Sequence, residues 1–257
     1  MEKIITLTPQ NIASEHICCA FSDKKCVEGY EAKKRWILQN AKNGFTFKKF
    51  DIRGKVFIEY VPAENAWCPI NAPDYVFIDC FWVSGQYKGK GYGKALLQEC
   101  FADAKDKNGV VALTSDKKRP FLNDRKFLEM QGFVKCDNAP PYFELWYKAF
   151  KPDAPIPKFR DCARHAECDN KNGLTFYYSN GCPFTEYYVA EVEVVAAERG
   201  YHVKTIHIET KEQAQNHCVP FTKYSIFRNG KFVTHQVLNE NYFDKFITPA
   251  ITAHKPF

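Results

Sequence analysis

The sequence contains no apolar run that approaches the ~20 residues of a membrane-spanning helix, and no apolar signal-peptide core follows Met1-Glu2-Lys3. It has no arginine-rich stripe interleaved with aromatic residues, and its formal charge of +6 is spread along the chain. It also has no internal repeat and no low-complexity tract. These absences argue against a membrane protein and against a nucleic-acid-binding protein, and we expect a cytoplasmic location.

Cysteine is plentiful, but the pattern of a secreted disulfide scaffold is missing. The eleven cysteines are an odd number in a chain of 257 residues without a secretion signal, so we expect free thiols. Hydrophobic residues make up 45% and aromatic residues 16% of the chain, which is ample for packed cores. At ~100–200 residues per domain, the length accommodates two domains.

The most informative segment is a glycine-dense turn between an apolar strand pattern and an amphipathic helix. The strand is predicted over Tyr75–Val83 and the helix over Tyr92–Lys105. Glycines allow the backbone to approach an anion, and the first free N–H groups of a helix point toward it. The layout therefore predicts a phosphate-binding loop.

Two common phosphate loops are excluded by their spelling. A Walker loop requires Ser or Thr after its lysine, but Ala95 follows Lys94. The dinucleotide fingerprint requires G-x-G-x-x-G, whereas the glycines here are Gly89, Gly91 and Gly93. A glycine-rich turn in an unrelated α/β protein remains the alternative interpretation.

The segment Gln86-Tyr87-Lys88-Gly89-Lys90-Gly91 fits Q/R-x-x-G-x-G/A and resembles the acyl-CoA pyrophosphate loop of the GNAT superfamily of N-acetyltransferases. A second strand, Val110–Thr114, follows, and Phe127–Phe133 (FLEMQGF) resembles the "xYxxxGF" helix-to-strand ending of the same fold. A strand and then a short helix are predicted over Ile4–Phe21, and another helix over Pro120–Met130. The order of predicted elements resembles the GNAT fold over residues 1–150. The resemblance implies a mixed α/β (α+β) sheet and an acyl-CoA N-acyltransferase.

The resemblance implies acetyl-CoA as co-substrate. Backbone N–H groups of the glycine turn would bind its pyrophosphate, with positive charge from nearby lysines, and the end of the preceding strand would bind the pantetheine amides. The fold also splays two central strands apart there to admit the thioester. The residues expected to bind acetyl-CoA are Phe81, Trp82, Val83, Gln86, Tyr87, Lys88, Gly89, Lys90, Gly91, Tyr92, Gly93 and Lys94.

Acetyl transfer to an amine requires a base, because an alkylamine of pKa near ~10.4 is protonated at neutral pH. Asp79 and Glu59 lie inside otherwise apolar strand patterns (VFIDCFW and VFIEYVP), where an unpaired charge is costly. Both are candidate bases. The alternative is that each is an outward-facing or salt-bridged strand residue.

The proton donor expected for the departing thiolate is absent. The tyrosine of the "xYxxxGF" ending falls on Leu128, which has no proton to give. A thiol of pKa ~8.5 leaves tolerably as the anion, and Tyr142, before the last predicted strand of the domain, is a substitute donor.

A second α/β unit is predicted over residues 172–257, after a proline- and charge-rich linker at 151–171. The sequence YYSNGCPFT (177–185) resembles the strand–CPxC–helix of glutaredoxins. With Val219-Pro220 and IFRNGKF (226–232), it gives the unit a resemblance to a thioredoxin-like domain. Both halves together resemble the YoaP-like acetyltransferase family.

Cys182 and Cys218 are the candidate thiols. Cys182 is predicted at a helix start, where the pKa of a cysteine is lowered. Thr185 replaces the second cysteine of a CxxC motif, which predicts a monothiol site. If Pro220 is the cis-proline of the fold, the fold analogy brings Cys218 near Cys182, where the two could pair in a disulfide. The alternative is a CP turn that begins the helix without a redox role.

Cys162, His165 and Cys168 recur at a spacing of three, but three ligands without a fourth make a poor zinc site, and we expect no metal. The sequence leaves three functions open. The first is an acetyl-CoA-dependent N-acetyltransferase acting on a primary amine of a small molecule or peptide, by direct attack in a ternary complex. The second is a thiol-handling protein whose GNAT domain binds CoA without catalysis, and the third is a ligand-responsive partner protein. We expect a monomer or homodimer.

Overall fold

The computed structural model describes residues 2–247, which form two larger β-sheets and one two-stranded sheet, covered by helices. The helices are α1 Val27–Ala41, α2 Tyr92–Asp103, α3 Arg125–Met130, α4 Thr185–Glu198, α5 Lys211–Gln215 and α6 Glu240–Ile247. The strands are β1 Ile4–Thr6, β2 Thr46–Phe50, β3 Val56–Pro62, β4 Ile70–Asn71, β5 Tyr75–Val83, β6 Gly109–Ser115, β7 Val134–Ala139, β8 Phe143–Ala149, β9 Lys158–Phe159, β10 Leu174–Tyr178, β11 Val203–His207, β12 Tyr224–Arg228 and β13 Lys231–Thr234. Within residues 2–247, no helix is both long enough and apolar enough to cross a membrane.

The larger sheet has seven strands in the order β1-β2-β3-β5-β6-β8-β7, and only the central pair β5–β6 is parallel. Alternation of side chains along the strands gives the sheet two apolar faces. Trp36 and Ile37 of α1 pack on one face, and Leu96 and Leu97 of α2 pack on the other. The mixed α/β sheet expected for residues 1–150 is therefore present.

Strand β5 contains a bulge at Asp79. Glu59 of β3 pairs with Cys80, but the next residue, Tyr60, pairs with Ile78, so Asp79 has no opposite residue. A bulge of this kind turns neighbouring side chains toward the same face and is common beside active sites.

The smaller sheet has the order β11-β10-β12-β13, with β10–β11 parallel and the other pairs antiparallel. Helix α4 connects the parallel pair and packs on the sheet through Val189 and Val192. The hairpin between β12 and β13 turns at Asn229-Gly230, where both residues have positive φ, as a two-residue turn requires.

The two sheets share one apolar core. Phe77 and Leu113 of the larger sheet belong to the same buried cluster as Phe176 and Tyr224 of the smaller sheet. The segment 151–171, expected to be a linker, also packs between them. Its strand β9 pairs with β4, and the guanidinium of Arg160 donates to the carbonyl of Ile70 and to Oε1 of Gln215.

Two predicted helices differ from the structure. The helix expected over Pro120–Met130 begins only at Arg125, because the Asp124 carboxylate caps it by accepting from the Phe127 amide. The short helix expected after β1 is replaced by turns, with Cys18 and Ala20 in the left-handed region. Strand β7 was not predicted, because it is short and mostly polar and therefore shows no alternation of apolar residues.

Candidate active site

The glycine loop between β5 and α2 presents a row of free backbone donors. Gly89 and Gly91 have φ of +74° and +85°, and the first hydrogen bond of α2 runs from the Ala95 amide to the Gly91 carbonyl. Within the described chain, the amides of residues 89–94 therefore have no acceptor. Such a row at the start of a 12-residue helix suits an anion.

Aromatic contacts hold the loop in place. The ring of Tyr87 lies against Gly54, where an added Cβ would come within 2.5 Å of it, and it meets the ring of Tyr92 edge-on at 5.6 Å. Gly93 lies between the rings of Phe81 and Phe127. The side chains of Lys88, Lys90 and Lys94 are exposed around the loop, as are Gln86 and Gly89. The predicted loop residues are thus brought together in a form that fits a pyrophosphate.

The strand that leads into the loop has a free edge. Pairing between β5 and β6 runs only from Tyr75/Gly109 to Ile78/Ala112 and then stops, while β5 stays paired with β3 as far as Val83. The splayed strands that the GNAT resemblance implies are therefore present. Phe81, Trp82 and Val83 lie along this edge, and Trp82 is 42% exposed.

A cavity of about 220 Å³ lies beside the splayed strands, and both sheets contribute to its wall. From the smaller-sheet side come the turn 181–184 and the residues Phe221 and Lys223. The turn can lie this close because Gly29 of α1 has no side chain where the Pro183 carbonyl approaches it. The aromatic lining residues are Phe57, Phe81, Trp82, Phe121, Phe184 and Phe221.

Two buried ion pairs stand at the base of the cavity. The Lys33 ammonium lies 2.9 Å from Oε2 of Glu59 and donates to the Gly181 carbonyl at 2.8 Å. The Lys223 ammonium lies 2.8 Å from Oδ2 of Asp79 and donates to the Asp79 carbonyl at 2.9 Å. We call these four side chains the ion cluster. Its two cations and two anions compensate one another, as buried charges must.

The two carboxyl groups of the ion cluster differ in pKa. Burial raises the pKa of Glu59, and the ammonium groups of Lys33 and Lys223 offset this only in part. Burial also opposes ionisation of Asp79, but Lys223 and Lys33 outweigh it and hold its pKa below the usual value. Glu59 lines the cavity, so it is the carboxyl group with the properties of a general base. Asp79 stabilises Lys223 instead, whose pKa it raises against the effect of burial.

The structure places Tyr142 away from the cavity lining. Its hydroxyl bonds Nδ1 of His235 at 2.7 Å, and Nε2 of His235 donates to the Pro120 carbonyl at 2.9 Å. Burial raises the pKa of Tyr142 to about 12 and lowers that of His235 to about 4. Leu128 is fully buried in the apolar cluster under α2. Neither residue is brought to the site as a proton donor.

Cys182 lines the cavity, but its expected low pKa is wrong. Burial raises the pKa of the thiol, and the hydrogen bond from the Phe184 backbone and the nearby lysines do not compensate. Thr185 fills the position of a second cysteine by donating to the carbonyls of Ser179 and Cys182.

The expected pairing of Cys182 with Cys218 is not present, since both are free thiols. Burial raises the pKa of the Cys218 thiol to about 12. The cis bond expected at Pro220 is also wrong, because the cis peptide found in the described part of the chain joins Pro140 to Pro141. Within residues 2–247, no group of three His, Cys, Asp or Glu side chains is arranged to hold a metal ion.

Sequence reasoning missed the lysines and one amide of the site. Lys33 occurs on the buried face of α1 between Ala32 and Trp36, and a lysine inside an apolar helical stripe is a readable signal. Lys223 precedes β12 and carries no such signal. Asn123 lines the cavity and donates from Nδ2 to the Leu113 carbonyl, on the splayed end of β6.

Comparison with known families gives two matches to the chain. The family described as Acetyltransferase (GNAT) family matches residues 11–133, and the family described as YoaP-like matches residues 203–245. The chain is 38% identical over 245 residues to the uncharacterized N-acetyltransferase YoaP of Bacillus subtilis (strain 168). That match covers 95% of this chain and 97% of the relative.

Among solved structures, the chain is similar to a GNAT family acetyltransferase from Brucella melitensis in complex with acetyl-CoA. The identity is 20%, covering 62% of this chain and 96% of that chain, with a TM-score of 0.37. It is also similar to the GNAT family N-acetyltransferase YhbS from Escherichia coli in complex with CoA. Here the identity is 14%, covering 62% of this chain and 89% of that chain, with a TM-score of 0.40.

Proposed function

The chain belongs to the YoaP-like family of GNAT N-acetyltransferases, and we propose that it transfers the acetyl group of acetyl-CoA to a primary amine of a small molecule or peptide. The observation that carries the proposal is that the three parts of the site form one continuous path. The free amides of residues 89–94, the free edge of β5 and the cavity that contains Glu59 follow one another without interruption. Acetyl-CoA, when bound, supplies an activated acetyl thioester.

Each part of this path has a distinct task. The amides of residues 89–94 bind the pyrophosphate, and the edge of β5 from Phe81 to Val83 offers backbone groups to the pantetheine amides. The cavity binds the acceptor and excludes water, and Glu59 accepts the proton that the ammonium must lose before its nitrogen can attack. This arrangement supports direct attack in a ternary complex, in which the C–N bond forms as the C–S bond breaks. The nitrogen then releases its second proton, and the departing thiolate takes up a proton from solvent outside the cavity.

The C-terminal unit, in this proposal, completes the acceptor site. Its strand order and the parallel β10–α4–β11 crossover support a thioredoxin-like architecture for residues 172–257, of which 248–257 lie outside the described residues. We assign residues 1–150 to the GNAT domain and 151–171 to the connection. The raised pKa of Cys182 indicates that this unit contributes residues to the cavity lining rather than a reactive thiol.

Titration calorimetry with acetyl-CoA tests the proposal. Gly89→Glu places a carboxylate in the free amide row, and we expect binding to be lost because the added charge repels the pyrophosphate. The matched control is Gly200→Glu, since Gly200 has the same φ of +74° and the same open surroundings outside the loop. Both substitutions carry equal backbone strain, so only the position differs.

We expect the Gly200→Glu protein to bind acetyl-CoA as the wild type does, and to acetylate amines from a mixed pool. Equal binding by wild type and Gly89→Glu would exclude the loop as the cofactor site. A wild-type protein that binds acetyl-CoA but acetylates no amine would contradict the proposed reaction itself.

A further inference from the structure

Two residues of β3 and the residue just before it present three chemically different side chains in a row toward the cavity. Lys55, Phe57 and Glu59 alternate along the chain, so they point to the same face, and all three line the cavity. The face therefore reads cation, aromatic ring, carboxyl. A complementary ligand has an anionic group at one end, an apolar body in the middle and an amine at the other end.

Lys55 differs from the other lysines of the cavity because it has no carboxylate partner. Lys33 and Lys223 are each paired within the ion cluster, whereas no Asp or Glu of residues 2–247 lies within ion-pair distance of Lys55. Its half-buried side chain places the ammonium 5.7 Å from the centre of the Phe184 ring. A half-buried ammonium facing an apolar cavity gains from an anion that the chain itself does not supply.

The surroundings of Lys55 extend the positive charge away from the cavity. Lys55 and Phe184 also line an adjoining open cleft that contains Lys24 and Lys25, neither of which forms an ion pair within the described chain. The single acidic residue of this cleft, Asp23, accepts from the Lys25 amide. The acceptor end near Glu59 and the anion end near Lys55 are thus chemically distinct.

We propose that the acceptor is a small amine that carries an anionic group at its other end, held between Glu59 and Lys55. This inference rests on the proposed function and names its substrate class. The class of ligand that fits this order is an ω-amino acid with a short aliphatic or aromatic body, because its amine meets Glu59, its body packs on Phe57 and its anion meets Lys55.

A competing role for Lys55 is contact with an anionic group of acetyl-CoA. Its carbonyl accepts from the Ser84 amide, which lies just before the glycine loop. The two roles differ in what a Lys55 variant changes. An acceptor contact alters the choice among amines, whereas a cofactor contact alters acetyl-CoA affinity and affects every amine equally.

The experiment compares three amines of equal length that differ only in their end group. They are 5-aminopentanoate, pentylamine and 1,5-diaminopentane, each assayed for acetyl-CoA-dependent acetylation, with 4-aminobutylphosphonate added to separate carboxylate from other anions. We expect kcat/KM to be about tenfold higher for 5-aminopentanoate than for pentylamine, with the diamine lowest. Lys55→Gln should bring the first two within about twofold, while Lys204→Gln, an exposed lysine of β11, should keep the wild-type ratio.

Calorimetry of acetyl-CoA with Lys55→Gln supplies a readout that does not depend on turnover, and we expect wild-type affinity. Equal or better use of pentylamine or the diamine by the wild type would overturn the substrate class while leaving the acetyltransferase proposal intact. A uniform loss for all amines together with weaker acetyl-CoA binding would assign Lys55 to the cofactor and also overturn it. Acetyl-CoA binding without acetylation of any amine would instead mark failure of the proposed function.

Discussion

The glycine loop and the ion cluster are two ways of handling charge in one protein. The loop lies on the surface, is contiguous in sequence, and offers partial positive charge from backbone amides. The ion cluster is buried, and its four full charges come from α1, β3, β5 and the residue before β12. The loop keeps its charge uncompensated for a ligand, while the cluster cancels its own.

This difference teaches where tolerance to substitution should lie. Exposed lysines around the loop are solvated, so removing one costs little stability. Removing one member of a buried pair leaves its partner as an isolated charge in a medium that solvates it poorly. Under the proposed function, the loop acts through its backbone geometry, whereas the ion cluster acts through each of its side chains.

The largest effect is expected for Glu59→Gln, which removes the base but keeps a side-chain oxygen that can accept a hydrogen bond from Lys33. We predict a fall in kcat of about 10²–10⁴-fold, with acetyl-CoA affinity by calorimetry within about twofold of wild type. The wild-type kcat/KM should rise with pH as Glu59 loses its proton, at a pH above the usual carboxyl range because burial raises its pKa.

The variant should lack that limb of the pH profile. A Glu59→Gln enzyme that keeps both its turnover and the same pH limb would show that another group is the base. Chemical denaturation of the variant checks that the fold is intact.

Lys223→Met tests the buried half of the comparison through stability. The change leaves Asp79 without its ammonium, and we predict a loss of about 3–5 kcal/mol in the free energy of unfolding at neutral pH. Lys88→Met in the loop is the matched control, with an expected change within about 0.5 kcal/mol. Urea denaturation measures both.

The pH dependence of the lost stability identifies its cause. In the wild type, the lowered pKa of Asp79 contributes stability above the ordinary carboxyl pKa of 3.8, and this is lost as pH falls through the folded pKa. Without Lys223 the folded pKa rises, so the deficit of the variant should shrink as pH falls toward 4. A deficit that is constant between pH 7 and pH 4 would indicate lost packing rather than lost charge compensation.

The smallest effect is expected for Cys182→Ser. The thiol is buried and its pKa is raised, so it is protonated at neutral pH and is a weak nucleophile. We predict a change in kcat of less than about threefold and slow alkylation of Cys182 by iodoacetamide, followed by mass spectrometry of the peptide. Rapid alkylation together with abolished activity would favour thiol chemistry and make this residue part of the reaction.

Local features were predictable because their causes are local. Strand β5 was predicted with its observed bounds, since an apolar run interrupted only by Asp79 favours an extended chain and the glycines end it. The start of α4 at Thr185 and the Asn229-Gly230 hairpin follow from turn chemistry in the same way. Strand β7 and the shortened α3 were missed because partner strands and a capping carboxylate decide them.

The residues of the site also divide into those that the local sequence indicates and those that it does not. The glycine loop could be identified from its sequence motif. Glu59 and Asp79 could be identified because a charged side chain inside an apolar strand costs free energy unless it is paired. Their different roles could not, since these depend on which lysine each one meets. Lys223 follows Asp79 by 144 residues, and no pattern in either segment indicates the other.

The separation of 144 residues between Asp79 and Lys223 also sets a delay between them during synthesis of the chain. A ribosome adds roughly 5–20 residues per second, so Asp79 is made roughly 7–30 s before Lys223. During that interval the larger sheet has its cofactor loop but neither the ammonium that compensates Asp79 nor the second wall of the cavity. The cavity therefore closes only after Phe221 and Lys223 are synthesised. Under the proposed function, a nascent chain able to bind CoA has no acceptor site in which to use it.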